Sequence, residues 1–542
     1  MRRGGRGRRR RGAGPAGGHV RVAYSVAQVR AAEAAFRATL PEGALMQRAA
    51  TGLAAACSDL LPRTYGARVV LLVGSGNNGA DALWAGAMLA RRGAHVTALL
   101  AAEPVADALQ ALLRSGGRAD RVAPSWRGGQ DAGQALARAD LVLDGLVGIG
   151  GRGALRPLAA ALADQLEQHC TVGRRAAQRG SGAVCEQLVG RRSAPATGGR
   201  LPLVVSVDVP SGVDADTGAV DGAAVRADVT VTFGTRKAGL LVGQGRGYAG
   251  RVLLVDIGLG PWLEPAPVEV LMAYDVGLLL PDPGAVADKY SRGVLGVAAG
   301  SQQYTGAAVL CTGAAVRAGA GMVRFVGAPH AAEQVRSRWP ETVVTEATGA
   351  DVVQAGRVQA WVVGPGLGTD DLAARTVEAV LAQDVPVLVD ADALTVCAQH
   401  PQWLQQRTAP TLLTPHDREF ARFGHEVGPD RVNSARRLAG ELGVHVLLKG
   451  DATIVAGPQG PARVNATGSP VLATAGSGDV LSGGAGALLA QGLGPLDAGS
   501  VAAHLHGRAG SLSAAGATTS ASLVLTAWPD AVREARAGTI EP

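Results

Sequence analysis

Aromatic residues make up only 3% of the 542 residues, and the chain contains 5 cysteines. The cores must therefore be built from Val, Leu and Ala. The cysteines are scattered without a C-x-x-C pair, which argues against a disulfide framework or a zinc site and fits a reducing cytoplasm. No apolar run approaches the roughly 20 residues of a membrane-spanning helix. A chain of this length predicts about two to four domains.

The net charge of +7 comes largely from two arginine-rich stretches, Met1–Gly12 and Arg174–Arg200. Met1–Gly12 is either a nucleic-acid-binding arm or a disordered extension, and the disordered extension is favoured. We therefore predict a disordered tail over residues 1–19 and a flexible insert over about 171–200. Without these stretches the chain is close to neutral, which argues against nucleic acid as its main ligand.

Small residues surround a single carboxylate in Thr474-Ala475-Gly476-Ser477-Gly478-Asp479, and a helical segment follows. The glycines allow several backbone N–H groups to point the same way at a helix N-terminus, which forms an anion site for phosphate. Asp479 would then be placed to remove a proton from a hydroxyl that meets the phosphate. The alternative is a glycine-rich turn with an Asp helix cap, and the segment alone does not decide between them.

Short apolar runs alternate with helical segments along the whole chain, which predicts α/β folds with parallel sheets. Ser25 is a predicted helix N-cap. The runs are Ala67–Val73, His95–Leu100, Ala139–Leu146, Leu203–Val209, Val229–Phe233 and Val252–Ile257, then Val294–Ala299, Met322–Val326, Ala360–Val363, Pro386–Val389, Thr411–Leu413 and Val444–Leu448. The Pro/Gly-rich region between the two series predicts a linker at 263–280, a first domain at 20–262 and a second at 281–537.

Polar residues follow several strands of the first series. A GxGxxG pattern, Gly74-x-Gly76-x-x-Gly79, invites a dinucleotide-binding interpretation, but the pattern alone is weak. Asn77, Asn78 and Asp81 put amide and carboxylate oxygens there, and these suit a hard cation or substrate hydroxyls. Asp144 and Asp208 also end strands, and strand ends of a parallel sheet converge on one crevice.

Together these motifs resemble the NAD(P)H-hydrate epimerase domain. The resemblance implies a Rossmann-like three-layer α/β/α sandwich, with Asp208 as the acid/base at C6 of the hydrate. It implies potassium bound by Asn78, Asp144 and Ser211. The residues implied to bind the hydrated dinucleotide are Asn77, Asn78, Gly79, Ala80, Asp81, Gly148, Ile149, Gly150, Gly151, Arg152, Gly153, Ala154 and Asp208.

The second series also ends its strands in polar motifs, including Asp390-Ala-Asp392, Thr414-Pro-His416 and Lys449-Gly-Asp-Ala-Thr453. Taken singly, His416 is more often structural than catalytic, and Lys449 could be an ordinary surface lysine. Together the motifs resemble the ribokinase-like superfamily, and within it the ADP/ATP-dependent NAD(P)H-hydrate dehydratases. The resemblance implies hydrate contacts by Ala307, Gly366, His416 and Asp479, with Asp479 as base, and nucleotide contacts by Lys449, Gly450, Asp451, Ala452, Thr453 and Gly478.

The two resemblances imply a bifunctional repair enzyme, both lyase and isomerase, for hydrated NADH and NADPH. It would epimerise the R and S hydrates and dehydrate the S form with magnesium and ADP. One alternative is a vitamin kinase fused to a non-catalytic Rossmann-like domain, since phosphoryl transfer uses the same parts. A second is an RNA-associated scaffold, against which the converging carboxylates speak. We expect small-molecule substrates, a homo-oligomer and a cytoplasmic location, with no membrane partner.

Overall fold

The computed structural model describes residues 20–122, 130–180, 201–284 and 288–538. The predicted tail (1–19), residues 181–200 of the predicted insert and Cys185 lie outside the described residues. The remainder of that insert differs from the prediction, because helix α6 continues through it to Gly180.

In its described part, the first half of the chain forms eight α-helices and ten strands. The strands are β1 (Arg21–Tyr24), β2 (Arg68–Val73), β3 (His95–Leu100), β4 (Arg118–Arg121), β5 (Leu141–Gly145), β6 (Leu203–Val207), β7 (Val229–Phe233), β8 (Arg236–Lys237), β9 (Arg251–Val255) and β10 (Val268–Val270). The helices are α1 (Val26–Arg37), α2 (Ala44–Leu60), α3 (Asn77–Arg91), α4 (Ala106–Arg114), α5 (Gln130–Arg138), α6 (Pro157–Gly180), α7 (Gly245–Ala249) and α8 (Ala273–Leu279). Ser25 caps α1 through a capping box, as predicted.

The second half continues the numbering. Its strands are β11 (Val294–Ala298), β12 (Met322–Gly327), β13 (Val343–Glu346), β14 (Ala360–Val363), β15 (Val387–Val389), β16 (Thr411–Leu413), β17 (His445–Leu448), β18 (Ile454–Ala456) and β19 (Ala462–Val464). Its helices are α9 (Thr305–Arg317), α10 (Pro329–Arg338), α11 (Asp371–Leu381), α12 (Asp392–Gln399), α13 (Gln402–Gln405), α14 (Asp417–Ala421), α15 (Arg431–Leu442), α16 (Ser477–Ala490), α17 (Pro495–Ala514) and α18 (Ala521–Arg536).

The first sheet has seven strands in the order β4-β3-β2-β5-β6-β7-β9, and every pairing in it is parallel. Alternate residues of β2 enter two different cores. Val69, Leu71 and Val73 pack in a core with α2 and α3, whereas Val70 and Leu72 pack with α5 and α6. Helices therefore cover both faces, which is why the central strands β2, β5 and β6 are mostly apolar. The predicted three-layer α/β/α sandwich is confirmed.

The second sheet has twelve strands in the order β13-β12-β11-β14-β15-β16-β17-β18-β19-β10-β1-β8. Its strands from β13 to β17 pair in parallel, and one core with α9, α16, α17 and α18 covers one face while α11, α12 and α15 cover the other. The carboxyl ends of β14, β15, β16 and β17 therefore lie side by side. This confirms the predicted α/β class for the second half.

The region predicted as a linker is a structural element instead. Within 263–280, β10 pairs in parallel with β19 of the second half and antiparallel with β1 of the first half. The helix α8 follows directly. The two halves are thus joined through one continuous sheet, which corrects the expectation of few contacts across this boundary.

The described cysteines fit the expectation of reduced thiols. Burial raises the pKa of the Cys57 and Cys397 thiols to about 12, and it also raises the pKa of Cys311 well above its usual range. Cys57, Cys311 and Cys397 are buried free thiols. None of the helices described is both long and apolar enough to cross a membrane.

Candidate active sites

The first candidate site is a cavity of about 1040 Å³ at the carboxyl ends of β2 and β5. Two segments that the sequence singled out line it together, namely 74–78 at the start of α3 and 148–156 after β5. Four arginines also face the cavity: Arg30, Arg37, Arg152 and Arg156. This wall of guanidinium groups suits a ligand that carries phosphates.

Close backbone approach explains two glycines of this site. A Cβ on Gly79 would lie 2.2 Å from the carbonyl oxygen of Gly74, so only glycine allows the turn that starts α3. A Cβ on Gly148 would lie 2.1 Å from Oδ1 of Asn78. The Asn78 amide donates to the Val207 carbonyl at 2.5 Å and is thereby wedged between the two loops. Ala80 and Asp81 are buried in α3 behind the cavity wall.

Asp208 lies directly after β6 in a left-handed backbone conformation, with φ of 65°, which is strained for a residue other than glycine. Its Oδ1 accepts from Lys237 Nζ at 2.5 Å, from Thr232 Oγ1 at 3.0 Å and from the Phe233 amide at 3.1 Å. Within the part of the chain that the structure describes, all of these bonds end on Oδ1; Asp208 is buried and does not itself line the cavity. Lys237 is only 1% exposed.

Two further carboxyl groups lie near this ion pair. Burial, then the charge of Asp208 and that of Glu33, hold the pKa of Asp81 well above its usual range. Burial also raises the pKa of Glu33, with Lys237 opposing and Asp208 adding to the shift. Glu33 itself faces the cavity. We call Glu33, Asp81, Asp208 and Lys237 the Asp208 cluster; it places three carboxyl groups and one lysine together, the residue types that general acid–base chemistry uses.

Asp144 is fully buried after β5. Its carboxylate accepts from Ser211 Oγ at 2.6 Å, from the Ser211 amide at 2.9 Å and from Ser206 Oγ at 2.8 Å. Burial raises the pKa of Asp144, and the hydrogen bonds from Ser211 and Ser206 oppose that shift. Among the described residues no lysine or arginine pairs with it. The structure thus brings the predicted potassium ligands Asp144 and Ser211 into contact.

The second candidate site centres on Asp479 in the first turn of α16. The residue before the helix, Gly476, has a left-handed φ of 83°, and within the described chain no side chain caps this helix start. The alternative of an Asp cap is therefore wrong, because Asp479 lies three residues inside the N-cap position. The Ser477 amide donates to the Thr474 carbonyl at 3.3 Å, so the amides of Gly478 and Asp479 are the first-turn donors that the predicted anion site would use.

Carboxylates and one lysine surround Asp479. Burial raises the pKa of Asp479 to about 7; the charge of Asp390 adds to the shift and that of Lys449 opposes it. Lys449 Nζ lies 2.9 Å from Asp390 and 3.4 Å from Glu419. Burial acts to lower the pKa of Lys449, but the charges of Asp390 and Glu419 outweigh it and leave that pKa raised. We call Asp390, Glu419, Lys449 and Asp479 the Asp479 cluster.

Some of the remaining predicted residues of this half contact one another or the Asp479 cluster. Gly366 and Ala307 meet, since a Cβ on Gly366 would lie 2.9 Å from the Ala307 methyl group. The His416 ring caps α14 by accepting from the Glu419 amide at 3.1 Å, so it has a structural role whatever else it contacts. The loop 449–453 follows β17, and a Cβ on Gly478 would lie 3.6 Å from Lys449 Nζ.

Sequence reasoning missed several of these groups. Lys237 follows β7 as an ordinary-looking Arg-Lys pair, and no motif marks it. One face of α1 carries Arg30, Glu33 and Arg37 at helical spacing, and this spacing could have indicated that the three side chains face one site. Ser482, which donates to Asp390 at 2.7 Å, also lacks a sequence signal.

The fold and the two clusters define a two-domain α/β protein of the enzyme class, with a cluster of ionisable side chains in each half. Two family models match the chain, one described as YjeF-related protein N-terminus over residues 42–239 and one described as NAD(P)H-hydrate dehydratase over residues 295–528.

Full-length relatives match as well. The bifunctional NAD(P)H-hydrate repair enzyme of Mycobacterium tuberculosis is 47% identical over 85% of this chain and 88% of its own length. That of Mycobacterium leprae is 46% identical over 92% of this chain and 95% of its own. A solved structure of the ADP/ATP-dependent NAD(P)H-hydrate dehydratase from Bacillus subtilis, co-crystallised with ATP/Mg²⁺, covers 48% of this chain and 97% of its own, with 28% identity and a TM-score of 0.43.

The chain belongs to the family of bifunctional NAD(P)H-hydrate repair enzymes. It is accordingly an enzyme with an epimerase half and a dehydratase half, and the function inferred from the sequence motifs is confirmed over the kinase and scaffold alternatives.

Proposed function

We propose that the Asp208 cluster epimerises the R and S hydrates, and that the Asp479 cluster dehydrates the S hydrate with ADP. The products of the second reaction are NAD(P)H, AMP and phosphate. The observation that carries the proposal is Asp479 itself: a partly buried carboxyl with a pKa of about 7 in the first turn of α16, whose start no side chain caps within the described chain. Such a group is poised to take a proton at neutral pH beside a bound phosphate.

Epimerisation follows from the chemistry of the hydrate. Its hydroxyl is on a carbon bonded to the ring nitrogen, so protonation of that hydroxyl lets the nitrogen lone pair expel water. Water then returns from either face and gives up a proton. Asp208 is the proposed proton carrier through Oδ2, with Lys237 as the residue that holds its orientation. The cavity arginines would bind the dinucleotide phosphates.

A potassium ion fits the Asp144 site. A fully buried carboxylate held only by neutral donors is costly, and a cation would relieve that cost. The oxygen-rich surroundings suit a hard cation. The proposed ligands are Asn78, Asp144 and Ser211, and the ion would supply positive charge beside the loop 148–154 that lines the cavity.

In the second site, Asp479 would remove the proton from the hydrate's hydroxyl as that oxygen attacks the terminal phosphorus of ADP. AMP leaves, and phosphate then departs from the ring carbon with loss of a ring proton, which restores the double bond. Lys449 and the first-turn N–H groups of α16 would bind the nucleotide phosphates, while Ala307, Gly366 and His416 would contact the hydrate.

Magnesium would enter with the nucleotide. The structure describes no group of three or more His, Cys, Asp or Glu residues that could hold a metal ion. Magnesium commonly binds through phosphates and water with only one or two carboxylates, and the carboxylates of the Asp479 cluster suit that mode of binding. ADP rather than ATP, a homo-oligomer and a cytoplasmic location remain predictions.

The test is a product assay with an R/S hydrate mixture, ADP, magnesium and potassium. We expect reduced dinucleotide, AMP and free phosphate in equal amounts. A stable phosphorylated product without recovery of the reduced dinucleotide would contradict the proposal.

A further inference from the structure

Arg246 reaches from α7 of the first half into the second half. Its guanidinium donates to the Asp451 carbonyl at 3.0 Å and to the Gly468 carbonyl at 3.2 Å, and it also bonds the Ala466 carbonyl. Its Nη1 lies 3.4 Å from the Asp451 carboxylate. One side chain thus binds four oxygens, and one of its partners belongs to the loop 449–453, the proposed nucleotide site.

The contacted segments pack tightly against each other. A Cβ on Gly468 would lie 2.0 Å from the Asp451 carbonyl oxygen, so the two backbones touch where Arg246 binds them. The start of the same loop is held by Arg431, which donates to the Lys449 carbonyl at 2.9 Å and binds Asp417 through two bonds of 2.8 Å. Arg431 of the second half therefore holds the start of this loop, and Arg246 of the first half holds its middle at Asp451.

The support of Arg246 is rigid on its own side. The preceding Gly245 donates its amide to the Gly218 carbonyl at 2.7 Å, and a Cβ there would lie 2.7 Å from Val213. Val213, Thr217 and Ala219 line the cavity of the first site. Arg246 consequently projects from the back of that cavity wall, and Pro429 of the second half lines the same cavity.

We propose that Arg246 is a positioning residue for the dehydratase reaction: it orders the loop 449–453 from the first half and so raises the affinity of the second half for ADP. The proposal rests on the proposed nucleotide site. Without Arg246 the loop would have to be ordered when the nucleotide binds, and that cost would appear in nucleotide affinity. Arg246 does not belong to the Asp479 cluster, so the chemical step should be largely unaffected.

The test compares four variants of the full chain by steady-state dehydration of the S hydrate and by their thermal unfolding midpoints. R246A should raise the KM for ADP about tenfold, because several charge-assisted hydrogen bonds are lost, and leave kcat within about twofold. R246K keeps the charge but not the planar guanidinium, and it should raise the KM for ADP by about threefold. R246K replaces R246A in the comparison if R246A does not fold. R251A, an exposed arginine of the same half, is the matched control and should leave KM unchanged.

K449A separates the two possible failures. A KM for ADP that stays at the parental value in R246A, but rises in K449A, would overturn the role of Arg246 while keeping the nucleotide site. A KM unchanged in K449A would overturn the nucleotide site, and the role of Arg246 with it. A fall in kcat without a change in KM in R246A would also contradict the proposal.

Discussion

At the scale of single residues, Asp479 carries the largest predicted effect. D479N should lower ADP-dependent dehydration by about 10²–10⁴-fold, the usual contribution of a positioned base. Folding should be retained, since Asn keeps the volume and Gly476, not Asp479, is the N-cap residue. Epimerisation of the hydrates by the same variant is the internal control and should stay at the parental rate. An unchanged dehydration rate would move the role to Asp390 or Asp392.

The raised pKa of Asp479 gives a pH dependence of known sign. A base must be ionised to act, and the pKa of this carboxyl is about 7 instead of its ordinary 3.8. The kcat/KM for dehydration should therefore rise about tenfold per pH unit below that pKa and level off above it. A profile that is flat from pH 5 to 8 would show that Asp479 is not the titrating base.

The same pKa shift means that ionised Asp479 destabilises the folded protein. The native state holds the proton more tightly than the unfolded chain, so between about pH 4 and 7 the stability contributed by this group falls as pH rises. At pH 8, D479N should unfold at a higher temperature than the parent, and the difference should vanish near pH 4. Equal midpoints at both pH values would argue that the carboxyl carries no burial cost.

At the scale of elements, the loop after β5 depends on the absence of a side chain. G148A would place a methyl group 2.1 Å from Asn78 Oδ1 and so displace an amide that bonds Val207, the neighbour of Asp208. We expect the rate of epimerisation to fall at least about tenfold, because displaced site residues no longer hold the substrate in its reactive geometry. Dehydration of pure S hydrate should be unaffected.

The matched variant is G150A in the same loop. Only the end of the flexible Arg30 side chain would lie close to its methyl group, at 3.3 Å, so its loss should be much smaller. Equal losses in the two variants would mean that the loop tolerates no methyl group anywhere, and that the contact with Asn78 is not the cause.

The elements that the sequence predicted well are the strands buried on both faces. Val229–Phe233, Ala360–Val363 and Thr411–Leu413 coincide with β7, β14 and β16, because helices cover both sides and every position is buried. The sequence analysis did not identify β1, β10 or β19. These are three or four residues long and mix charged with apolar residues, and β1 and β10 pair with segments that are distant in the sequence, so no local pattern marks them.

The residues of the candidate sites also differ in whether the sequence could predict them. Asp144, Asp208 and Asp479 stand at strand ends or a helix start, positions that periodicity locates. Lys237 could not be placed, because its contact with Asp208 depends on the path of the chain after β7 and on β8 joining the other sheet. Residues 181–200, predicted as part of the insert, lie outside the described chain.

At the scale of the whole molecule, β10 decides where the chain can be cut. Fragments ending at 265 and starting at 273 would both lack β10, leaving β1 and β19 without the partner that joins them. A second-half fragment that begins at 264 should therefore unfold at a higher temperature than one that begins at 273, since it retains the pairing with β19. Equal unfolding midpoints would show that β10 contributes nothing to the second half.

We propose that two separate sites act in succession on one mixture of hydrates. The most direct measurement is the recovery of NADH absorbance from an R/S mixture by D208N, with ADP, magnesium and potassium present. The variant should consume the S hydrate at the parental rate and then reach an early plateau, since the R hydrate is no longer converted; slow spontaneous epimerisation makes the early plateau the quantity to read. If D208N runs through the whole mixture as fast as the parent, Asp208 is not the epimerase acid/base and the account is contradicted.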